Sequence, residues 1–387
     1  MAFAHLHTHT EYSLLDGSNK IKDYVKRVKE LGMTSAAITD HGVMYGVIDF
    51  YKTCKAEGIH PVLGCEVYVA PESRFDREPG NNDDRYYHLI LLAENNTGYQ
   101  NLMKIVSIGF TDGFYYKPRV DREILEKYHE GIICLSACLA GEVAKLLERG
   151  FYNEAKEAAL WHRDTFGEGN YFLELQDHGI PAQQTVNQGL LRISQETGIE
   201  LVATNDCHYT YADDTEAHEI LLCVQTGKKI TDEDRLTYAP RQFYVRSEDE
   251  MRSIFPYALQ ALENTQLIAD RCNVEIEFGV TKLPRYDVPE GYDAWTYLNK
   301  LCFDGLEERY GNNPDYSKDR LPELRKQLEY ELSVIQKMGY VDYFLIVWDF
   351  INYARTHGIP VGPGRGSAAG SLVSYTNCIW NIGESNS

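Results

Sequence analysis

From the N-terminus to about residue 225, short β-branched runs alternate with amphipathic helical stretches. No other feature narrows the fold as much. "FAHLHTH" (3–9) reads as a strand, and "NKIKDYVKRVKELG" (19–32) follows it, with Ile21, Tyr24, Val25, Val28 and Leu31 at helical spacing and Gly32 as a stop. "SAAIT", "HPVLGCEVYVA", "YYHLILLA", "GIICLSA", "YFLELQ" and "LVATND" read as further strands, with helical patterns such as "VIDFYKTCKAEG" between them. Six or seven strands alternating with helices imply a parallel sheet, either open or closed into a barrel. Period alone does not choose between the two.

The pattern changes further along. Residues 226–280 read as mixed and connecting, and "VTKLPRYDVPEGYDA" (280–294), with two prolines, reads as a linker. Beyond it lie three long helical stretches, "YLNKLCFDGLEERYG", "LPELRKQLEYELSVIQKMG" and "YFLIVWDFINYARTHG". The expected organisation is an α/β domain over 1–280, a linker over 281–294 and a mainly helical second piece over 295–387.

Nine cysteines are scattered with no CxxC pair, which argues for a reduced compartment and against a disulfide framework or a zinc ribbon. No basic segment followed by an apolar stretch opens the chain, and the run "YFLIVW" (343–348) is far too short to cross a bilayer. A formal charge of −20 is the wrong sign for a protein that merely coats nucleic acid. Such a chain acts on phosphates only where metal ions offset its carboxylates or where basic surface lies elsewhere; a solvated acidic surface is equally compatible.

Chemical side chains gather at the ends of the expected strands. Strand one carries His5, His7 and His9 two residues apart, with Asp16 shortly after; alternation places three imidazoles on one face. "TDHG" supplies Asp40 and His41, "GCEV" Glu66, "YYHL" His88, "LSAC" Cys138, and "TNDCHY" Asp206 and His208. In parallel α/β folds the strand ends converge on one face, and imidazole, carboxylate and thiolate together suit Zn, Mn or Fe. Each residue alone is weak evidence, because a lone His is usually a satisfied core residue and "TDHG" reads equally as a capped turn. Their joint occurrence at one kind of position favours a metal cluster.

Taken in order, "HLHTHTEYSLLDG", "ITDHG", "GCEVYV", "HLILLA", "LSAC" and "ATNDCHY" resemble the PHP (polymerase and histidinol phosphatase) domain. More narrowly, they resemble that of the bacterial replicative DNA polymerase III alpha family. The resemblance implies a distorted seven-stranded (βα) barrel with nine ligands around two or three divalent metals, Zn or Mn with Mg also open. His7, His9, Glu66 and Asp206 would hold one metal, and Glu66 would bridge to a second with His88 and Cys138. Asp16, His41 and His208 would hold the third. It also implies phosphoester hydrolysis as a 3′–5′ exonuclease on a DNA primer end, with Glu66, Asp206 and His208 carrying the chemistry. Lys117 and Arg119 in "YYKPR" are candidate phosphate contacts. Outside the matched set, His5 is expected deeper in its strand and Asp40 is expected to orient His41; His178 and His218 take no role.

"VGPGRGSAAGS" (361–371) is a glycine-rich turn running into small residues, a pattern whose backbone N–H groups can cradle phosphate. Beside the PHP resemblance it is similar to the start of that family's palm, of the polymerase-beta-like nucleotidyltransferase type. Gly364, Arg365, Gly366 and Ser367 would then lie at a nucleotide triphosphate. The ending "TNCIWNIGESNS" departs from the family and precedes any palm carboxylates, so the chain alone is expected not to polymerise DNA. A structural platform docking a separate proofreading subunit is the alternative, and a free-standing histidinol-phosphatase-like enzyme a weaker one. The implied partners are other replicase subunits, including a sliding clamp reached through regions absent here. The implied setting is the cytoplasm, without a membrane.

Overall fold

The computed structural model describes residues 3–78, 84–280, 282–311, 318–362, 364, 366–377 and 379, and the chain divides into two units at Ile276. The strands of the first unit are β1 (Ser35–Ile38), β2 (His60–Val69), β3 (Tyr87–Ala93), β4 (Phe114–Tyr115), β5 (Lys117–Val120), β6 (Ile132–Leu135), β7 (Tyr171–Leu175) and β8 (Leu201–Ala203). They pair in the order β4-β5-β2-β3-β6-β7-β8, with β1 on the same edge of β2 as β5. The N-terminal segment closes the ring. On one side Ala37 N–H donates to His5 O and Thr39 N–H to Thr8 O; on the other, His9 N–H donates to Cys207 O and Cys207 N–H to His7 O. With that segment counted, seven strands encircle the interior, and β4 and β5 form a hairpin outside the ring.

The sheet is mixed rather than parallel. Among the described residues no helix separates β2 from β3, whose connecting sequence is polar, and β3 runs antiparallel to both β2 and β6. Neighbouring strands without a crossover helix must run in opposite directions. The first strand is also less regular than alternation predicts. Its bridges fall at His5, Thr8 and Thr10 with a bend at His7, so the odd-numbered residues do not share one face throughout.

Alternation along the regular strands builds the interior. Val62, Ile90, Leu92, Phe172 and Val202 pack inside the ring, whereas Leu89, Leu91, Leu173 and Leu175 face the surrounding helices. Fully burying such a side chain stabilises the fold by roughly 1.5–3 kcal/mol. Residues 226–280, read from sequence as connecting, contain the helix Leu259–Arg271, whose Ile268 and Ala269 join this inner cluster. Thr265 Oγ1 on that helix accepts from Ala4 N–H at 3.0 Å and ties down the start of the chain. The inner face is therefore apolar at one end. Further along the same face β2, β3, β7 and the segment after β8 turn polar, at Glu66, His88, Glu174 and Thr204.

In the second unit, helices Ala294–Leu306, Leu321–Lys337, Val341–Thr356 and Leu372–Thr376 enclose Leu298, Cys302, Leu306, Leu328, Leu332, Leu345 and Val373. Asp293 caps the first helix by accepting from Thr296 N–H at 2.7 Å. No strand occurs among the described residues of this unit. Gly366–Gly370 forms a 3₁₀ turn, and the following α-helix starts only at Leu372, with Ser371 as its cap. Arg365 lies outside the described residues. No described helix is long and apolar enough to cross a membrane.

Close backbone packing fixes the loop that carries Asp16. A Cβ on Gly17 would lie 2.3 Å from the Thr10 carbonyl oxygen and 3.0 Å from that of His9. Gly17→Ala therefore forces two backbone segments apart. It should cost about 2–3 kcal/mol, read as a lowered urea midpoint with an unchanged m-value.

Candidate metal centre

The polar end of the barrel is where the strands deliver their chemistry. On β2 the inward positions run Val62, Gly64, Glu66; on β7, Phe172 is followed by Glu174; beyond β8, Val202 is followed by Thr204 and Asp206. Because β3 runs backwards, its candidate donor stands at its beginning: His88 precedes Ile90 and Leu92 on the same face. The N-terminal segment adds His7 and His9, the loop after it Asp16, the end of β1 His41, the turn after β6 Cys138, and the segment after β8 His208.

All nine side chains meet. Around Glu66, Oε2 lies 2.9 Å from His7 Nε2 and 3.8 Å from His9 Nε2, and Oε1 lies 2.7 Å from His41 Nδ1 and 2.6 Å from His88 Nδ1. Asp206 Oδ1 stands 3.2 Å from both His7 Nε2 and His9 Nε2. Asp16 reaches His41 Nε2 at 3.0 Å and His208 Nε2 at 3.9 Å, and Cys138 Sγ lies 3.8 Å from His88 Nδ1. Three overlapping triads, His7–His9–Glu66, His41–Glu66–His88 and His9–His41–His208, each bring one donor atom per residue within 4.8 Å of one another.

Hydrogen bonds on the outer side of the imidazoles fix which nitrogen faces the cluster. His7 Nδ1 lies 2.6 Å from Glu174 Oε1, and His208 Nδ1 lies 2.8 Å from the Asp206 carbonyl oxygen; both acceptors require N–H at Nδ1. Ser13 Oγ donates to Asp40, so His9 Nδ1, 3.2 Å away, must donate to it. Neutral His7, His9 and His208 thus turn Nε2 lone pairs inward, as metal-ligating histidines do.

The electrostatics point the same way. Among the described ion pairs, Glu66, Asp206 and Asp16 have imidazoles as partners and no Lys or Arg. Burial opposes charge on all three, yet the surrounding imidazoles hold them below the usual carboxylate range: His88 and His41 act on Glu66, His7 and His208 on Asp206, and His41 and His208 on Asp16. Without cations the compensating charge falls to protons. Against its burial, His41 is raised to about 10 by Glu66 and Asp16, and His7 is raised by Asp206 and Glu174. Burial and the neighbouring His41 and His208 push His9 down to about 3. Burial and the carboxylates push the Cys138 thiol up. His41 Nε2 and Asp206 Oδ1 are buried and meet only groups of the cluster itself, Asp16 for the one and His7 and His9 for the other. Three carboxylates, five imidazoles and a thiol with inward lone pairs fit divalent cations.

Residues outside the sequence-derived set complete the site. Glu174 holds His7 and is itself held by Gln176 and Thr204. Its signal was available in sequence, since it alternates with Phe172 inside a strand. Tyr238 donates to Asp16 Oδ1 at 2.8 Å and lies 3.4 Å from His208 Nε2. It comes from the irregular 227–246 segment, where no periodicity marks it. Backbone strain clusters here too: Leu15, Ala137 and Asp206, each a ligand or next to one, have φ of 61°, 64° and 42°.

Three expectations need correction: the Asp40–His41 contact, the shared face of His5 with His7 and His9, and the Arg119 phosphate contact. Asp40 does not touch the His41 ring; it binds Thr10 and Ser13, and Ser13 in turn supports His9 and the His41 N–H. His5 faces away from the cluster beyond the bend, with Nε2 at 2.8 Å from Arg246 O. Arg119 cannot meet a phosphate: it is 1% exposed and donates to the Gly113, Arg85, Arg74 and Asp76 carbonyls. Lys117 is half-buried, with Nζ 5.3 Å over the Tyr68 ring. His178 and His218 bind the Asn205 and Asp16 carbonyls as supporting groups.

Both halves of the chain match known families. Residues 5–178 match the PHP domain, and residues 296–385 match the bacterial DNA polymerase III alpha NTPase domain. The chain carries a PHP domain and a DNA polymerase III alpha NTPase domain. It is 46% identical over 383 residues to DNA polymerase III subunit alpha of Treponema pallidum, covering 99% of this chain and 32% of the relative. It is 41% identical to that of Thermus aquaticus, covering 99% and 36%. The chain thus spans about a third of the length of these relatives. A solved two-domain protein of Bacteroides vulgatus, described as containing a PHP-like metal-dependent phosphoesterase, has 9% identity and a TM-score of 0.31 over 73% of this chain and 72% of that one. At that score the likeness carries no weight beside the sequence matches.

If Glu174 sets the His7 tautomer of the PHP domain, Glu174→Gln should weaken metal affinity by about 10–100-fold. Competition with a chromogenic chelator measures this, and the rise in Tm with added Mn²⁺ should shrink in parallel.

Proposed function

We propose that the PHP domain is a phosphodiesterase using two or three divalent cations, Zn or Mn, and that it acts as a 3′–5′ exonuclease on DNA primer ends. The convergence of nine nitrogen, oxygen and sulfur donors at one mouth of the barrel carries this reading. His7, His9, Glu66 and Asp206 would hold one cation; Glu66, His88 and Cys138 a second; Asp16, His41 and His208 a third.

Bound there, such cations polarise a phosphoryl group and lower the pKa of a coordinated water. The chain's own residues set the geometry. Glu66 offers one oxygen to each half of the cluster, Glu174 and Ser13 fix the His7 and His9 rings, and Tyr238 holds Asp16 by hydrogen bond. A cavity of about 250 Å³, lined by His41, His88, Cys138, Asp206, His208 and Tyr238, gives a phosphodiester access to these donors. In the second unit, Gly364 and Gly366, with φ of 103° and 70°, and Ser367 are proposed to meet a nucleotide triphosphate as the start of a palm. Within a longer, cytoplasmic polymerase the chain would work beside other replicase subunits.

The test is the full chain with added Mn²⁺ or Zn²⁺ and a 5′-labelled single-stranded or mismatched primer. Wild type should shorten the primer from its 3′ end, chelator should stop it, and an Asp206→Asn, His208→Ala variant should match the metal-free control. Equal cleavage by both proteins would assign the activity to a contaminant and leave the cluster a structural platform for a separate proofreading subunit.

A further inference from the structure

A second cavity, about 270 Å³, opens beside the metal centre and shares Asp16 and His41 with it. Beside aliphatic and polar groups such as Leu14, Val43 and Gln225, its walls carry the rings of Tyr45, Tyr68, Phe110, Phe114 and Tyr116, with Lys117 among the lining residues. Three of these rings are more than half exposed, Tyr45 at 60%, Phe114 at 53% and Tyr116 at 63%. A cluster of solvated rings is costly in a soluble domain unless something covers it. Tyr116 is also strained. It sits at the tip of the β4–β5 hairpin with φ of 60°, a left-handed conformation that bulky side chains avoid, and its ring stands edge-on to Tyr115 at 4.7 Å while most of its surface stays exposed. The Arg85 guanidinium lies 4.5 Å over that ring and Lys117 Nζ 5.3 Å over Tyr68, so cations back the rings without closing the groove.

We propose that this groove binds unpaired nucleobases of the strand whose phosphodiester reaches the metals, by stacking them on Tyr45 and Tyr116. The inference rests on the phosphodiesterase reading for the identity of the polymer. Its own support is the groove's composition and its continuity with the cluster. Stacking needs no base-specific hydrogen bond, tolerates any sequence and accepts only bases freed from a duplex. It also suits a chain of net charge −20, which has little general attraction for phosphate. Lys117 supplies the local positive charge in the groove that the backbone of a bound strand requires.

The test uses the Mn²⁺-loaded full chain and a 5′-fluorescein oligothymidylate with phosphorothioate linkages, compared by anisotropy with the same strand lacking its 3′-terminal bases. Wild type should bind the base-bearing strand about tenfold more tightly or better. The Tyr45→Ala, Tyr116→Ala double variant should erase that preference, and Tyr45→Phe, Tyr116→Phe should keep it. Equal affinity of wild type for the two strands, or a preference surviving the alanine pair, overturns the assignment. Preference in wild type together with failure to cut the natural phosphodiester strand leaves the groove standing and sinks the nuclease reading instead.

Discussion

A fully buried carboxylate among imidazoles is the constraint on which the rest of this structure depends. Glu66 has no exposed surface, and its two oxygens face His7 and His9 on one side and His41 and His88 on the other. An isolated carboxylate there would carry a desolvation cost of several kcal/mol. The fold meets it by bringing four imidazoles from three separate segments. Without cations the compensating charge is protons on His7 and His41; with cations the same nitrogens turn from proton carriers to ligands. The barrel is the device that makes such convergence repeatable, because every strand delivers its inward residue to the same mouth.

The support behind the donors is as ordered as the donors themselves. Glu174, Ser13 and the Asp206 carbonyl each accept from an Nδ1–H and so dictate which nitrogen is free. Asp40 lies one step further out and holds Ser13. The left-handed φ values at Leu15, Ala137 and Asp206 show that this positioning is enforced against local backbone preference. The aromatic groove next to the cluster shows the same economy: Tyr116, like Asp206, occupies a conformation that only surrounding structure can maintain.

Much of this was readable before any coordinates. The inward residues of β2, β7 and the segment after β8 alternate as plain period-2 patterns, so Glu66 and the Asp206–His208 pair stood out as chemistry at strand ends. Closure of the ring came only through the family resemblance and not through any local pattern, because the hydrogen bonds that close it join residues 7–9 to Cys207, a contact across about two hundred residues. Arg119 misled for a related reason. A basic turn looks solvent-facing in sequence, but four backbone carbonyls from distant loops enclose its guanidinium. Tyr238 was invisible because it lies in irregular chain, where neither period nor motif signals a role.

The sequence alone marked the nine candidate donors and the strand end near which each one stands, since alternation and residue type are local properties. Only the tertiary structure decided that β3 runs backwards, that the first strand bends at His7, and that Glu174 fixes a tautomer. Those outcomes depend on strand direction, a bend and a hydrogen bond between segments far apart in the chain. None of the three has a local signature, because each is set by what the partner segment offers once the barrel has closed.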